Sequence, residues 1–141
     1  MSNTQDTQNI NKLYSQFQNL RAQKEIFENQ LGALGALLRD LYDTKKTIEN
    51  LKKLNPGEEI LIPIGDGRIN LKGTIKENKK VLVAVSEDVI IEKNTEDSIE
   101  FIDKLIQQQE QYIKFLREQI QKIELNLQSI SQVFQQNMPQ S

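Results

Sequence analysis

Cysteine and histidine are both absent from this 141-residue chain. Their absence excludes disulfides, thiolate nucleophiles and imidazole bases, and with them nearly every zinc site. Aromatic residues make up only 6% and apolar residues 37%, below the roughly 45–50% apolar share of an average globular domain. Such a chain does not fill a thick core, but it can fill narrow seams. Glycine and proline are scarce as well, at 6 and 3 residues. With abundant Gln, Glu, Lys, Leu and Ile, that scarcity points to long helices.

No run approaches the ~18 consecutive apolar residues of a membrane span, and the amide-rich amino terminus is unlike a signal peptide. The formal net charge of −2, from 18 basic and 20 acidic residues, gives no global attraction to nucleic acid. The expectation is a soluble cytoplasmic protein, one domain over residues 1–141.

The usual chemical signatures are missing too. There is no G-x-x-x-x-G-K-[ST], G-x-G-x-x-G or G-x-S-x-G. The glycine cluster Gly65-Asp66-Gly67 lacks a following helix whose amino end would hold phosphate. Glu58-Glu59 and Glu87-Asp88 sit at strand edges and turns, where solvated charge is the ordinary role. Paired carboxylates at a coiled-coil tip can deliver a metal to another enzyme, but these pairs lie away from the ends. Basic residues are interspersed with acidic ones, without the aromatic interleaving that stacks bases. The reading is a non-enzyme with no catalytic residue, no metal site and no cofactor.

What is present is periodicity. From Ile10 the apolar residues step by threes and fours through Leu13, Phe17, Leu20, Phe27, Leu31, Leu34, Leu38, Leu41 and Ile48. With Ile10 at heptad position a, Lys24, Lys45 and Lys52 also fall at a. The 3.5-residue period marks a coiled-coil seam, in a helix predicted over about residues 8–54. Leu54-Asn55-Pro56-Gly57 then stops it. A second seam runs Ile99, Ile102, Ile106, Ile113, Leu116, Ile120, Ile123, Leu127, Ile130 and Phe134, interrupted at Gln109. Asn94, with Asp97 three residues on, or Thr95 supplies the cap of this helix, predicted over 95–137. Each helix is about 40 residues, roughly 60 Å long. Equal lengths around a short insert predict an antiparallel hairpin, with Phe17 near Phe134 and Leu54 beside Ser98. The rival is a parallel homodimer on each seam, with the insert stretched between. Gly32 and Gly35 inside the first helix either permit a bend or close approach, or are merely tolerated.

Between the helices, residues 58–93 carry β-rich runs from Glu59 to Ile64, Arg68 to Ile75, Lys80 to Ser86 and Val89 to Lys93. Gly65-Asp66-Gly67 and Glu87-Asp88 mark the turns of two hairpins. Ile60-Leu61-Ile62 and Val81-Leu82-Val83-Ala84-Val85 are apolar on both faces. Hairpins this short cannot cover both faces of their own strands, and exposed apolar edges aggregate unless paired. Oligomerisation through the β segment, completing a sheet or barrel, is the economical solution. Alternatively Leu51, Leu54, Phe101 and Leu105, which lie outside the seams, cover part of the outer face. The fold class is α+β and predominantly helical: a long antiparallel two-helix coiled coil with two β-hairpins between.

The ends form a second anomaly. Residues 125–141 contain no charged side chain, and residues 1–20 contain only Asp6 and Lys12. Tyr14, Leu125, Val133 and Met138 leave the seam there. Either the ends are frayed and amide-rich with harmless exposed hydrophobics, or they form a soft apolar surface for another protein. Low charge suits a partner of varied sequence.

The order helix, two hairpins, helix resembles the alpha class of prefoldin, of the archaeal type, over nearly the whole chain. The most specific stretches are Asn55-Pro56-Gly57-Glu58-Glu59-Ile60-Leu61-Ile62-Pro63-Ile64-Gly65-Asp66-Gly67, then Val81-Leu82-Val83-Ala84-Val85 and Val89-Ile90-Ile91-Glu92-Lys93, and the helix restart at Thr95-Glu96-Asp97-Ser98-Ile99-Glu100-Phe101. Two hairpins rather than one separate alpha from beta subunits. Ser86-Glu87-Asp88 departs from a turn that often contains glycine in the family.

The resemblance implies hexamers of two alpha and four beta prefoldin subunits, joined by intersubunit β-barrels built from the hairpins. It implies coiled-coil tips that hold non-native polypeptides and hand them to a group II chaperonin without nucleotide. The expected assembly residues are Ile60, Ile62, Ile64, Ile69, Leu71, Val81, Val83, Val85, Val89 and Ile91. Those expected to hold clients are Ile10, Leu13, Tyr14, Phe17, Leu125, Leu127, Ile130, Val133 and Phe134, some of them seam residues released by partial unwinding. The competing class is a non-catalytic coiled-coil tether in a different complex, binding one folded partner.

Overall fold

The computed structural model describes residues 2–137; Met138, one of the off-seam residues, lies outside that range. The elements are α1 (Ser2–Leu51), β1 (Glu59–Ile64), β2 (Ile69–Thr74), β3 (Lys80–Ala84), β4 (Ile90–Asn94) and α2 (Thr95–Asn137). The chain divides into two compact units. The terminal unit is Met1–Leu37 with Gln109–Ser141, and the central unit is Leu38–Gln108.

In the terminal unit the heptad seam closes within one chain. Ile113, Leu116, Ile120, Ile123 and Ile130 of α2 are buried, while Leu13, Phe17, Leu20, Phe27, Leu31 and Leu34 of α1 are half-buried. The rings of Phe17 and Phe134 meet edge to face, with centroids 6.2 Å apart. Residues this far apart in sequence meet only if the helices run antiparallel, so the parallel homodimer is ruled out. Lys24 stays in the seam because its stem lies along the apolar surface while its ammonium reaches out. Its Nζ lies 3.4 Å from Glu124 and 3.6 Å from Glu28.

In the central unit Ile48, Ile102 and Ile106 form the core, with Leu38, Leu41, Ile99 and Phe101 packed against it. Lys45 repeats the arrangement of Lys24, with Nζ 2.7 Å from Asp103. Lys52 lies 3.6 Å from Glu96.

The helix starts at Ser2, ahead of residue 8, because the amide-rich leader contains no breaker; Thr7 Oγ1 donates back to the Asn3 carbonyl at 2.6 Å. At the other end, N–H groups of Lys53 and Leu54 donate to the carbonyls of Asn50 and Leu51, the tightening that ends many helices. Asn78, in the β2–β3 link, donates its side-chain amide to Leu54 and lies 3.4 Å from the carbonyls of Leu51 and Lys52. Of the two cap candidates for α2, Asn94 acts: its Oδ1 accepts from the Asp97 N–H at 2.7 Å. Thr95 instead turns inward, buried, and its hydroxyl donates to the Asn78 carbonyl at 2.7 Å. Glu96 and Asp97 in the first turn complement the helix dipole.

Both hairpins are antiparallel and form separate two-stranded sheets. In the first, Ile60 pairs with Gly73, Ile62 with Leu71 and Ile64 with Ile69. Its turn uses Gly65 at φ 68° and Gly67 at φ 87°, left-handed backbone that glycine adopts without strain. Asp66 Oδ1 accepts from the Arg68 N–H at 3.2 Å and closes the turn. In the second, Val83 pairs with Ile91, and the Val85 N–H donates to the Val89 carbonyl at 3.0 Å. Among the described residues no non-glycine has positive φ, so Ser86-Glu87-Asp88 turns the chain without glycine.

Candidate functional site

The pairing in each hairpin decides which side chains share a face, because directly opposed residues point to the same side. In the first hairpin Ile60, Ile62, Ile64, Ile69 and Leu71 make one apolar face, completed by Gly73. A Cβ at residue 73 would lie 3.0 Å from Ile62 Cδ1, so the Ile62 methyl fills the space a side chain there would take. The other face carries Leu61 among Glu59, Asn70 and Lys72.

In the second hairpin Val81, Val83 and Ile91 share their face with Lys93, and Val85 and Val89 continue it. The Lys93 ammonium sits 5.1 Å from the Phe101 ring centroid, a cation–π contact. This face therefore leans on the start of α2, and Val81 and Val83 are half-buried. The opposite face stands open. Leu82 is 75% exposed and Ile90 65%, alongside Ile69 at 65% and Leu61 at 64% in the first hairpin.

Ile62, Ile64, Ile69, Leu71, Val85, Val89 and Ile91 are all exposed, and Ile60 is half-buried. Leu61, Leu82 and Ile90 were not among the assembly residues singled out from sequence. Their signal was the two-faced apolar character of runs one and three, which marks both faces rather than one.

Phe101 also shows how far the chain covers itself. It packs on the central core and meets Lys93, while Leu51, Leu54 and Leu105 are half-buried. Even so, both hairpins keep exposed apolar surface.

In the terminal unit the predicted client residues separate into two sets. Leu13, Phe17, Leu127 and Phe134 are half-buried in the seam and Ile130 is buried. Tyr14 and Leu125 are more than half exposed, and Ile10 and Val133 are exposed to a lesser degree. Arg21 lies 5.9 Å from the Phe17 ring centroid.

Charge is distributed unequally about the seam. Where helices pair antiparallel, position g of one flanks g of the other, and e flanks e. In the terminal unit the e positions include Arg21, Glu28, Arg117 and Glu124, and Lys24 leans to that flank to meet Glu28 and Glu124. In the central unit Lys45 meets Asp103 and Lys52 meets Glu96, again at e. The hydrogen bond to Asp103, joined by the charges of Asp103 and Glu49, holds the Lys45 ammonium above the usual lysine range.

Among the described residues no group of three or more acidic side chains converges as a metal ion requires, and no helix is long and apolar enough to cross a membrane. Two antiparallel helices joined through two hairpins with exposed apolar faces define a protein built for assembly. The prefoldin family model, described as "Prefoldin subunit", matches residues 20–140. The prefoldin alpha subunit of Pyrococcus horikoshii is 32% identical over 111 residues, 78% of this chain and 74% of that one. Prefoldin subunit alpha 1 of Thermococcus kodakarensis is 35% identical over 104 residues, 74% of this chain and 70% of that one. The alpha subunit of Methanospirillum hungatei JF-1 is 29% identical over 133 residues, 93% and 87% of the two chains. Among solved structures, the filamentous PFD of Methanocaldococcus jannaschii, determined by cryo-EM, shares the fold with a TM-score of 0.71 and 22% identity, covering 81% of this chain and 93% of that one. The chain belongs to the prefoldin family, in its alpha class.

Proposed function

We propose that this chain is the alpha-type subunit of an ATP-independent holdase of the cytoplasm. It assembles through its hairpins with beta-type prefoldin subunits, two alpha with four beta. Its coiled-coil ends capture non-native polypeptides, and the complex delivers them to a group II chaperonin. No catalytic chemistry of its own is involved.

The observation that carries the reading is the exposed apolar surface on both hairpins, led by Leu61, Ile69, Leu82 and Ile90. An isolated hairpin is marginal in water, and an exposed apolar strand edge invites pairing. Subunits that complete the strands remove both problems. Client capture is supported by Tyr14 and Val133, which stand outside the seam where charge is sparse, and by exposed Leu125 at the edge of the uncharged stretch. Each contact is weak, but several subunits gripping one polypeptide raise avidity by roughly 10²–10⁴.

The test is suppression of aggregation of several unrelated unfolded proteins by the complex, with and without residues 1–17 and 127–141. Loss of suppression with an intact oligomer is expected. Unchanged suppression would remove the ends from the mechanism, and a complex that ignores all the unfolded proteins would favour a tether.

A further inference from the structure

The two flanks of the terminal unit differ in kind. Its e flank carries Arg21, Glu28, Arg117 and Glu124. Its g positions are Gln16, Gln23, Gln30 and Leu37 on α1, and Tyr112, Gln119, Asn126 and Val133 on α2, none of them charged. A coiled coil kept only soluble would carry Lys and Glu on both flanks.

On this neutral flank sits a cluster that the seam does not use. Leu37, Tyr112 and Phe115 are 44%, 45% and 49% exposed. The Tyr112 and Phe115 rings stack at an interplanar angle of 17°, with centroids 6.2 Å apart. The antiparallel register sets Leu37 and Tyr112 at facing g positions, and Phe115 stands at c, one turn along from Tyr112. Ala33, at the matching outer position of α1, keeps the opposite side low.

We propose that this cluster is a docking surface for uncharged, apolar segments of a non-native polypeptide, separate from the chain ends. The inference rests on the holdase reading above. Two observations choose the occupant. The g positions offer no charge with which to select a particular folded partner, Lys122 being the lone charge at the outer c positions of α2 in this unit, and the charged e flank would penalise an apolar segment. The area is also small. Three half-exposed side chains of this size present roughly 250–300 Å², well short of the ~800 Å² per partner of a stable interface. A second copy or a folded subunit would be held poorly there, whereas a short extended stretch fits.

The experiment places p-benzoylphenylalanine at residue 112, and separately at residue 117 on the charged flank, in the full chain assembled with beta-type subunits. Each complex is irradiated with an unfolded model protein. Cross-linking to the unfolded protein from residue 112 is expected to exceed that from residue 117 by roughly tenfold. Equal yields, or cross-links from residue 112 to another subunit, would overturn the proposal. In parallel, Leu37→Gln, Tyr112→Gln and Phe115→Gln are combined, with helicity checked by circular dichroism. The triple variant is expected to need several-fold more complex to suppress aggregation. If the wild-type complex suppresses aggregation and the folded triple variant matches it, this inference alone fails. If the wild-type complex does not suppress aggregation, the holdase reading fails and takes the inference with it.

Discussion

The hydroxyl of Thr95 donates to the carbonyl of Asn78 at 2.7 Å, and that same asparagine donates its amide to the carbonyl of Leu54. The Thr95 N–H adds a bond to the Lys79 carbonyl at 2.8 Å. One residue in the link between the hairpins thus ties the end of α1 to the start of α2. Asn78→Ala removes the side-chain donor to the partly buried Leu54 carbonyl and is expected to cost about 1–3 kcal/mol. Asn78→Asp, which turns a carboxylate toward carbonyl oxygens, should cost more. Urea midpoints followed by circular dichroism check the order.

The Lys45–Asp103 pair predicts a pH dependence. Asp103 holds the Lys45 ammonium above the ordinary lysine value. The pair's contribution is therefore fully present below about pH 10 and is lost as pH rises through the raised value. The difference in melting temperature between wild type and Lys45→Met is expected to stay constant from pH 8 to about 10 and then shift against wild type. A difference that stays flat to pH 11 would contradict the assignment.

Gly32 and Gly35 lie within α1, and a Cβ built on either meets nothing within 4 Å. No close approach requires them. Gly32→Ala and Gly35→Ala are each expected to stabilise by about 1 kcal/mol, read as a rise in denaturant midpoint. A loss of stability would show that the backbone there needs glycine.

Seam and surface residues of the terminal unit should separate cleanly. Leu116 is fully buried, so Leu116→Ala is expected to cost about 2–5 kcal/mol. Tyr14→Gln and Leu125→Gln remove exposed side chains and should change stability by no more than about 0.5 kcal/mol. Under the proposed function they weaken capture of unfolded proteins nevertheless, measured as the amount of complex needed to suppress aggregation.

Both seams were legible in the sequence because a narrow interface leaves its period in the residues that line it. Phe17 opposite Phe134 followed from equal helix lengths. The hairpins were legible from Gly65-Asp66-Gly67 and the β-branched runs, although their ends moved by a residue or two where pairing stops. Other features depend on partners distant in sequence. Asn78 looks like any polar linker residue until the carbonyls of Leu51 to Leu54 come near it. Lys24 and Lys45 read as interruptions until Glu124 and Asp103 stand beside them. Which face of the second hairpin stays open depends on Lys93 meeting Phe101. The neutral g flank was written in the sequence, but its meaning depends on the helices running antiparallel.

The central claim is that exposed hairpin strands complete themselves against other prefoldin subunits. Native mass spectrometry of this chain, alone and mixed with a beta-type prefoldin subunit, tests it most directly. The expected result is a discrete heterohexamer of two copies of this chain with four of the other, lost when Leu82→Lys and Ile90→Lys are introduced together. A stable homodimer that ignores the beta-type subunit would contradict the account.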